Sequence, residues 1–324
     1  MMRRKFLLST GCIALGGWHQ FASAQAWPDK PVRLTLSQPA GSGPDNMARL
    51  IGEQLSRQWK QPVVVENKPG GQNAIGAQAA ARSPADGYNF YLTTAAALVT
   101  NAYLFKSLPY DPRKDFTPVG MVGTVPFALT VTDSLPVHNL QEFVAYAKAN
   151  PAKVAIANEG PKTFGGMVTR LLAHQLGIDV LQVPYVSVRG AVTDTIGGVT
   201  HAMVSDVPAA SEMVKAGRLR AIAVTTAKRV AGWDSVPSIS EVLPGFDYAG
   251  WIAIVAPTGT PAASIQRFNR DMDAILTDKE VVGRLLALGP ITEGAGTPEE
   301  MAVFLKSEHL KWEKLTKDIG VLPE

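Results

Sequence analysis

Residues 38–46 read Gln-Pro-Ala-Gly-Ser-Gly-Pro-Asp-Asn and lie between the apolar run Val32–Ser37 and a helical pattern that begins near Asp45. A strand that ends in a glycine-rich loop and opens a helix aims free backbone N–H groups, and the positive end of the helix dipole, at one spot. That spot suits an anion. The loop lacks the Gly-Lys-Ser/Thr of a nucleotide phosphate loop, and Asn46 stands where a dinucleotide loop has its third glycine, so a carboxylate is the better match. A plain strand-to-helix turn, with Gly41 and Gly43 present only for their backbone angles, is the other reading of the same residues.

Signals for catalysis are thin. The sequence contains no H-E-x-x-H, G-x-S-x-G or S-x-x-K, and His138, His174, His201 and His309 are too scattered for a metal-ligand spacing, so no metal or cofactor is expected. A Ser42 or Thr163 nucleophile is what a hydrolase would have to use. Trp233 and Trp251 read as packing residues or as an apolar wall facing an organic acid.

The elements that must position these residues alternate along the chain. Val32–Ser37, Pro62–Glu66 and Tyr88–Thr93 have strand character, and the helix after the first loop repeats apolar residues at Ile51, Leu55 and Trp59. A second series runs through Phe127–Val131, helix Leu140–Ala149, Lys153–Ala157, helix Phe164–Leu176, Leu181–Pro184, helix Ala191–Gly197, Ala202–Ser205, a helix from Pro208 and Leu219–Thr225. Such order predicts mainly parallel sheets covered by helices. After a strand at Trp251–Ala256 come helices whose faces are set by Ile265, Phe268, Met272 and Ile275, and by Met301, Leu305, Leu310 and Leu315. They have no strands of their own beyond Pro290–Glu293, so the chain is expected to return to its first half. The expected fold is α/β with two lobes, residues 27–124 plus 226–324 and residues 125–225, joined by crossing strands at Phe127–Val131 and Leu219–Thr225. The cleft between them is lined by strand ends and closes by hinge motion.

Residues 1–26 read as a secretory signal: Arg3, Arg4 and Lys5 precede an apolar stretch from Phe6 to Trp18, and Ala22-Ser23-Ala24-Gln25-Ala26 offers overlapping A-x-A cleavage sites. Arg3-Arg4-Lys5-Phe6-Leu7 is also similar to a twin-arginine signal, so both export routes stay open. Cys12 is the only cysteine and leaves with the signal, which excludes disulfides from the mature chain. The whole chain carries 31 basic and 28 acidic residues; without Arg3, Arg4 and Lys5 the charges balance, and nothing points to nucleic acid or an anionic membrane surface.

A set of blocks in order carries a family resemblance. They are Trp27-Pro28-Asp29-Lys30-Pro31, the Pro39–Asp45 loop, Val63-Val64-Val65-Glu66-Asn67-Lys68-Pro69-Gly70, Asp86-Gly87-Tyr88, Leu108-Pro109-Tyr110-Asp111-Pro112 with Asp115-Phe116, Val183-Pro184-Tyr185, Gly217-Arg218-Leu219-Arg220-Ala221, and Trp251 with Ala256-Pro257. The mature chain resembles the extracytoplasmic solute-binding proteins of tripartite tricarboxylate transporters, the TctC or Bug group. The resemblance implies a type II-like periplasmic-binding-protein fold in a periplasmic monomer. Its ligand would be a small organic carboxylate handed to the membrane subunits of such an importer. A ligand-presenting protein for a sensor kinase and a periplasmic hydrolase are the alternatives.

The same resemblance places one ligand carboxylate on the first loop, with Gln38, Ala40, Gly41, Ser42, Gly43 and Asp45 as site residues. Asp45 is acidic at an anion site, which favours a role in capping the helix and fixing the loop over direct contact. Thr94, directly after the strand Tyr88–Thr93, joins the set. A second anion contact comes from the loop Asn158–Gly166, where Thr163 can cap the next helix and donate to ligand, and Lys162 and Phe164 add a cation and an aromatic face. Pro184-Tyr185-Val186-Ser187-Val188-Arg189-Gly190 lacks the family's usual Lys-Gly and offers Arg189 three residues later as a bidentate carboxylate partner, with Asp206 to orient it or accept a ligand hydroxyl. Those cations predict a dicarboxylate, either C4–C6 aliphatic or a flat aromatic of the terephthalate kind.

Overall fold

The structure is a computed structural model that describes residues 27–185 and 187–324. The export signal expected at residues 1–26 lies outside the described residues, as does Val186.

Sequence pattern and structure agree closely at the start. In β1 (Val32–Leu36), Val32, Leu34 and Leu36 are fully buried, and Ser42 then caps α1 (Gly43–Trp59), which has Pro44 in its first turn and turns Met47, Ile51 and Leu55 inward. The chain continues through β2 (Val63–Asn67), α2 (Ala74–Ala81), β3 (Asn89–Thr94), α3 (Asn101–Leu104) and β4 (Phe116–Val125). Along β3 the alternation of a buried strand is plain. Phe90 and Leu92 join the core under α1 and the later helix at Ala262–Leu276, while Tyr91 faces the opposite core. Only Pro126 separates β4 from β5 (Phe127–Thr132). There follow α4 (Leu140–Ala149), β6 (Val154–Asn158), α5 (Phe164–Leu176), β7 (Val180–Pro184), α6 (Val188–Ile196), β8 (Ala202–Asp206), α7 (Val207–Lys215) and β9 (Leu219–Val224). The remaining elements are β10 (Gly250–Pro257), α8 (Ala262–Leu276), α9 (Lys279–Leu288) and α10 (Pro298–Asp318).

These strands form two five-stranded sheets, in the orders β2-β1-β3-β10-β4 and β7-β6-β8-β5-β9. The fold is α/β and two-lobed. In each sheet one inner strand, β10 or β5, runs against both of its neighbours, and the other strands run together. The reversed strand is in each case the one that enters after the chain has crossed from the other sheet, so crossing and reversal have one cause.

Four expectations need correction. Residues 226–249, assigned to the first lobe from sequence, pack on the second sheet in part: Val230, Trp233 and Val236 bury against Ala128, Met203 and Val224. The expected strands pass from Tyr88–Thr93 to Phe127–Val131 without one at 116–125, a stretch that holds the poor strand residues Pro118, Gly120 and Gly123. β4 lies at a sheet edge, where such residues are tolerated. Pro290–Glu293 forms only a single bridge between Ile291 and Thr124. On α10 the buried face is Met301, Glu308, Trp312 and Leu315, and Leu310 is 62% exposed.

Candidate functional site

The carboxyl ends of β1, β3, β4 and β8 and the starts of the reversed strands β5 and β10 meet at one cleft of about 590 Å³ between the sheets. From the first sheet it receives Gln38 and Gly43 after β1, Asn73 after β2, Thr94 and Ala95 at the end of β3, and Gly250–Ile252 at the start of β10. The second sheet contributes Phe127 at the start of β5, Glu159 and Phe164 after β6, and Asp206 at the end of β8. Another cavity of about 440 Å³, with Arg113 and His309 on its wall, lies at the opposite ends of β4 and β10, at Phe116 and Val255. It is remote from the strand ends that gather the loop residues, so the cleft is the candidate site.

At the first loop, Ser42 Oγ accepts the Asp45 N–H at 3.4 Å and caps α1. Asp45 does not line the cleft. Its carboxylate is 1% exposed and accepts from Gly41 N–H at 2.8 Å, Arg49 Nε at 3.0 Å and Asn67 Nδ2 at 2.8 Å. Burial alone raises its pKa, but the bonds from Arg49, Gly41 and Asn67 outweigh burial and hold the group below its ordinary value. Gly41 has φ +81°, so the chain turns there as only glycine does easily. The Ser42 N–H bonds Pro39 O, so Ala40 and Gly43 are the loop positions whose N–H groups have no acceptor among the described residues.

Gln38 lines the cleft and donates from Nε2 to Asn73 Oδ1 at 3.2 Å, while its Oε1 is buried with no partner. Asn73 holds φ 77° and also receives Ser37 Oγ on its carbonyl, which fixes this corner.

The second loop differs from expectation. Thr163 caps α5 by accepting Gly166 N–H at 3.2 Å, but its hydroxyl hydrogen goes to Gly160 O at 2.8 Å and is not free for a ligand. A Cβ on Gly166 would come within 2.0 Å of Gly160 O, so glycine there permits the tight turn. Lys162 turns away: Nζ lies 2.9 Å from Glu324 Oε2 and 5.2 Å from the Phe105 ring centre. Arg189 is exposed on the first turn of α6 and does not line the cleft. Phe164 does line it, tilted against Phe127 at 4.6 Å.

Asp206 caps α7 through Oδ1 and Ala209 N–H at 3.0 Å; burial raises its pKa against the backbone bonds that lower it. Glu159 is open to solvent at the mouth of the cleft yet hemmed in by protein, and that enclosure, followed by the negative charge of Asp206, raises its pKa too. The lining is thus aromatic at Phe127, Phe164 and Trp251, acidic at Glu159 and Asp206, and without lysine or arginine among the described residues. Asn73, Phe127 and Glu159 were not singled out from sequence. Each follows a strand end or a crossing, the one signal that marked them.

The family model of TctC, the tripartite tricarboxylate transporter family receptor, matches residues 47–321. The chain belongs to the TctC family. It is 34% identical over 322 residues to a UPF0065 protein of Bordetella bronchiseptica, covering 99% of this chain and 95% of that protein. Among solved structures it is similar to R. palustris Rpa4515 with adipate, at 33% identity and TM-score 0.81 over 92% of this chain and 100% of that one. It is also similar to MatC (Rpa3494) from Rhodopseudomonas palustris with bound malate, at 26% identity and TM-score 0.75 over 89% and 99%. TctC proteins are binding proteins and not enzymes, so the hydrolase alternative is set aside. No helix among the described residues is long and apolar enough to cross a membrane.

Proposed function

We propose that this TctC chain works in the periplasm, captures an organic carboxylate in the cleft by hinge closure and delivers it to the membrane subunits of a tripartite tricarboxylate importer. One observation carries the binding step. Among the described residues the Gly43 N–H has no acceptor; it sits at the start of α1, where the helix dipole adds positive potential, and it lines the cleft, with the equally unpaired Ala40 N–H on the same loop. Adipate in Rpa4515 and malate in MatC support a carboxylate as the ligand class. The aromatic lining suits an apolar body behind that carboxylate. The lobes that close are the two sheets with their helices, residues 27–124 with 250–324, and 125–249.

A dicarboxylate bridging the lobes would need its second charge met at the second sheet. Lys162 is engaged with Glu324 and Arg189 stands off the lining, so we retain the carboxylate and not the second charge.

A thermal-shift screen with mono-, di- and tricarboxylates tests the binding step. A ligand at about 100 times its Kd should add roughly 2.7 kcal/mol of apparent stability. Absence of any shift across the panel, with the folded state intact, defeats the proposal. Loss of cellular uptake on deleting the membrane subunits tests delivery.

A further inference from the structure

The cleft is uneven in charge. Its first-sheet side offers the Gly43 N–H group, and its second-sheet side offers two carboxylates with no lysine or arginine in the described lining. Asp206 uses Oδ1 as a helix cap and leaves Oδ2 uncommitted, and Glu159 makes no hydrogen bond among the described residues. Lys162, three positions on, faces Glu324 and Phe105 instead. Gln38 adds a buried Oε1 that no donor meets. Phe127, Phe164 and Trp251 add aromatic surface to the same lining.

We propose that Glu159, with Asp206 beside it, makes the cleft selective for carboxylates whose opposite end is a protonated amine, over dicarboxylates of equal length. The inference rests on the carboxylate reading above and names the class of ligand. A second ligand carboxylate would join two protein carboxylates where no cation offsets them. An ammonium group brings positive charge and three donors to acceptors that have none. Enclosure, joined at Glu159 by the charge of Asp206, already holds both acids above the ordinary carboxylate range, so a cation relieves a cost that a dianion enlarges. Selectivity of this kind comes from the rejected partner as much as from the favoured one.

Calorimetry with matched sets tests it: hexanoate, adipate and 6-aminohexanoate, and 4-methylbenzoate, terephthalate and 4-(aminomethyl)benzoate. The amino acid should bind at least about tenfold tighter than the diacid in one set or both. Glu159→Gln should collapse that ratio by weakening the amino acid and strengthening the diacid, with the melting temperature no lower than in the unmutated protein because the side chain makes no hydrogen bond and its charge is held at a cost. Asp206→Asn, which keeps an N-cap, should act in the same direction. Diacids or monoacids binding as tightly as the amino acids in both sets overturn the inference, as does a ratio unmoved by Glu159→Gln. If no member of either set binds, the carboxylate reading falls with it; if carboxylates bind and only the amine preference is missing, the inference alone falls.

Discussion

Phe164 and Trp312 meet edge to face with ring centres 5.9 Å apart, the first on α5 of the second lobe and the second on α10 of the first. Phe164 is therefore a cleft-lining ring held from behind by a buried tryptophan across the lobe boundary. Two polar contacts run the same way: Lys162 to Glu324, and Arg170 Nη2 to Ile319 O at 3.3 Å.

The two kinds of contact should differ in weight. Trp312 is 1% exposed, so Trp312→Ala is expected to cost about 3–5 kcal/mol of stability. Lys162→Ala breaks a pair whose Glu324 side chain is 77% exposed, and is expected to cost no more than about 1 kcal/mol. Urea unfolding of both variants measures this; equal losses would show that the ring contributes no more than the ion pair.

Gly43 and Ser42 are neighbours with separable roles. A Cβ at Gly43 meets Leu288 O and Met47 Cε at 3.8 Å, ordinary contact, so Gly43→Val should fold while its methyls crowd the free N–H. Affinity for a carboxylate found by screening should fall by about tenfold or more, roughly 1.4 kcal/mol. Ser42→Ala should instead lose the helix cap, about 0.5–2 kcal/mol of stability, with a smaller change in affinity. Calorimetry beside thermal melts separates the two, and unchanged affinity in Gly43→Val would remove the loop from the site.

Asp45 is buried among donors from Gly41, Arg49 and Asn67. Asn in its place cannot accept from all three, and an unmet buried donor costs about 1–3 kcal/mol. Because its folded pKa is depressed, the stability it gives is present above the ordinary value of 3.8 and is lost as pH falls through the lower folded value. Asp45→Asn should thus be destabilising at pH 7 and nearly neutral at the acid end. A pH-independent difference between the two proteins would contradict this.

His309 gives a second acid-side signal at a higher pH. Burial, and then the Arg113 charge, lower its pKa from 6.5 to about 4, although Asp111 pulls the other way. The neutral ring is favoured by folding, so its contribution is complete above pH 6.5 and declines between pH 6.5 and about 4 as the unfolded chain takes up the proton first. His309→Gln should flatten the fall in melting temperature over that interval. An unchanged slope would show that folding does not favour the neutral ring.

Much of this was legible in sequence because local signals and tertiary needs agreed. Leu140–Ala149 and Phe164–Leu176 are helices with the expected bounds, since Asn139 and Thr163 cap them and their apolar faces repeat at helical spacing. β4 was not legible, because its Pro and Gly are acceptable only at an edge, and edges are set by the rest of the sheet. At the site, spacing along the chain located the two loops but not where side chains point. Lys162 is drawn off by Glu324 and Phe105, distant in sequence, and Thr163 gives its hydrogen to a turn three residues back. Glu159 was hidden for the converse reason: an acidic residue in an expected anion loop looks out of place until the lining around it is seen.

The place of β10 between β3 and β4 governs the order in which the molecule can be assembled. The second sheet draws all its strands from the unbroken stretch 127–224. The first lacks an inner strand until residues 250–257 arrive, and before that β3 and β4 present open edges to any passing chain. A polypeptide emerging amino end first therefore completes its later half-molecule before its earlier one. The outer edge of β3 and the whole of β4 wait longest unpaired, where proteases and aggregation compete with folding.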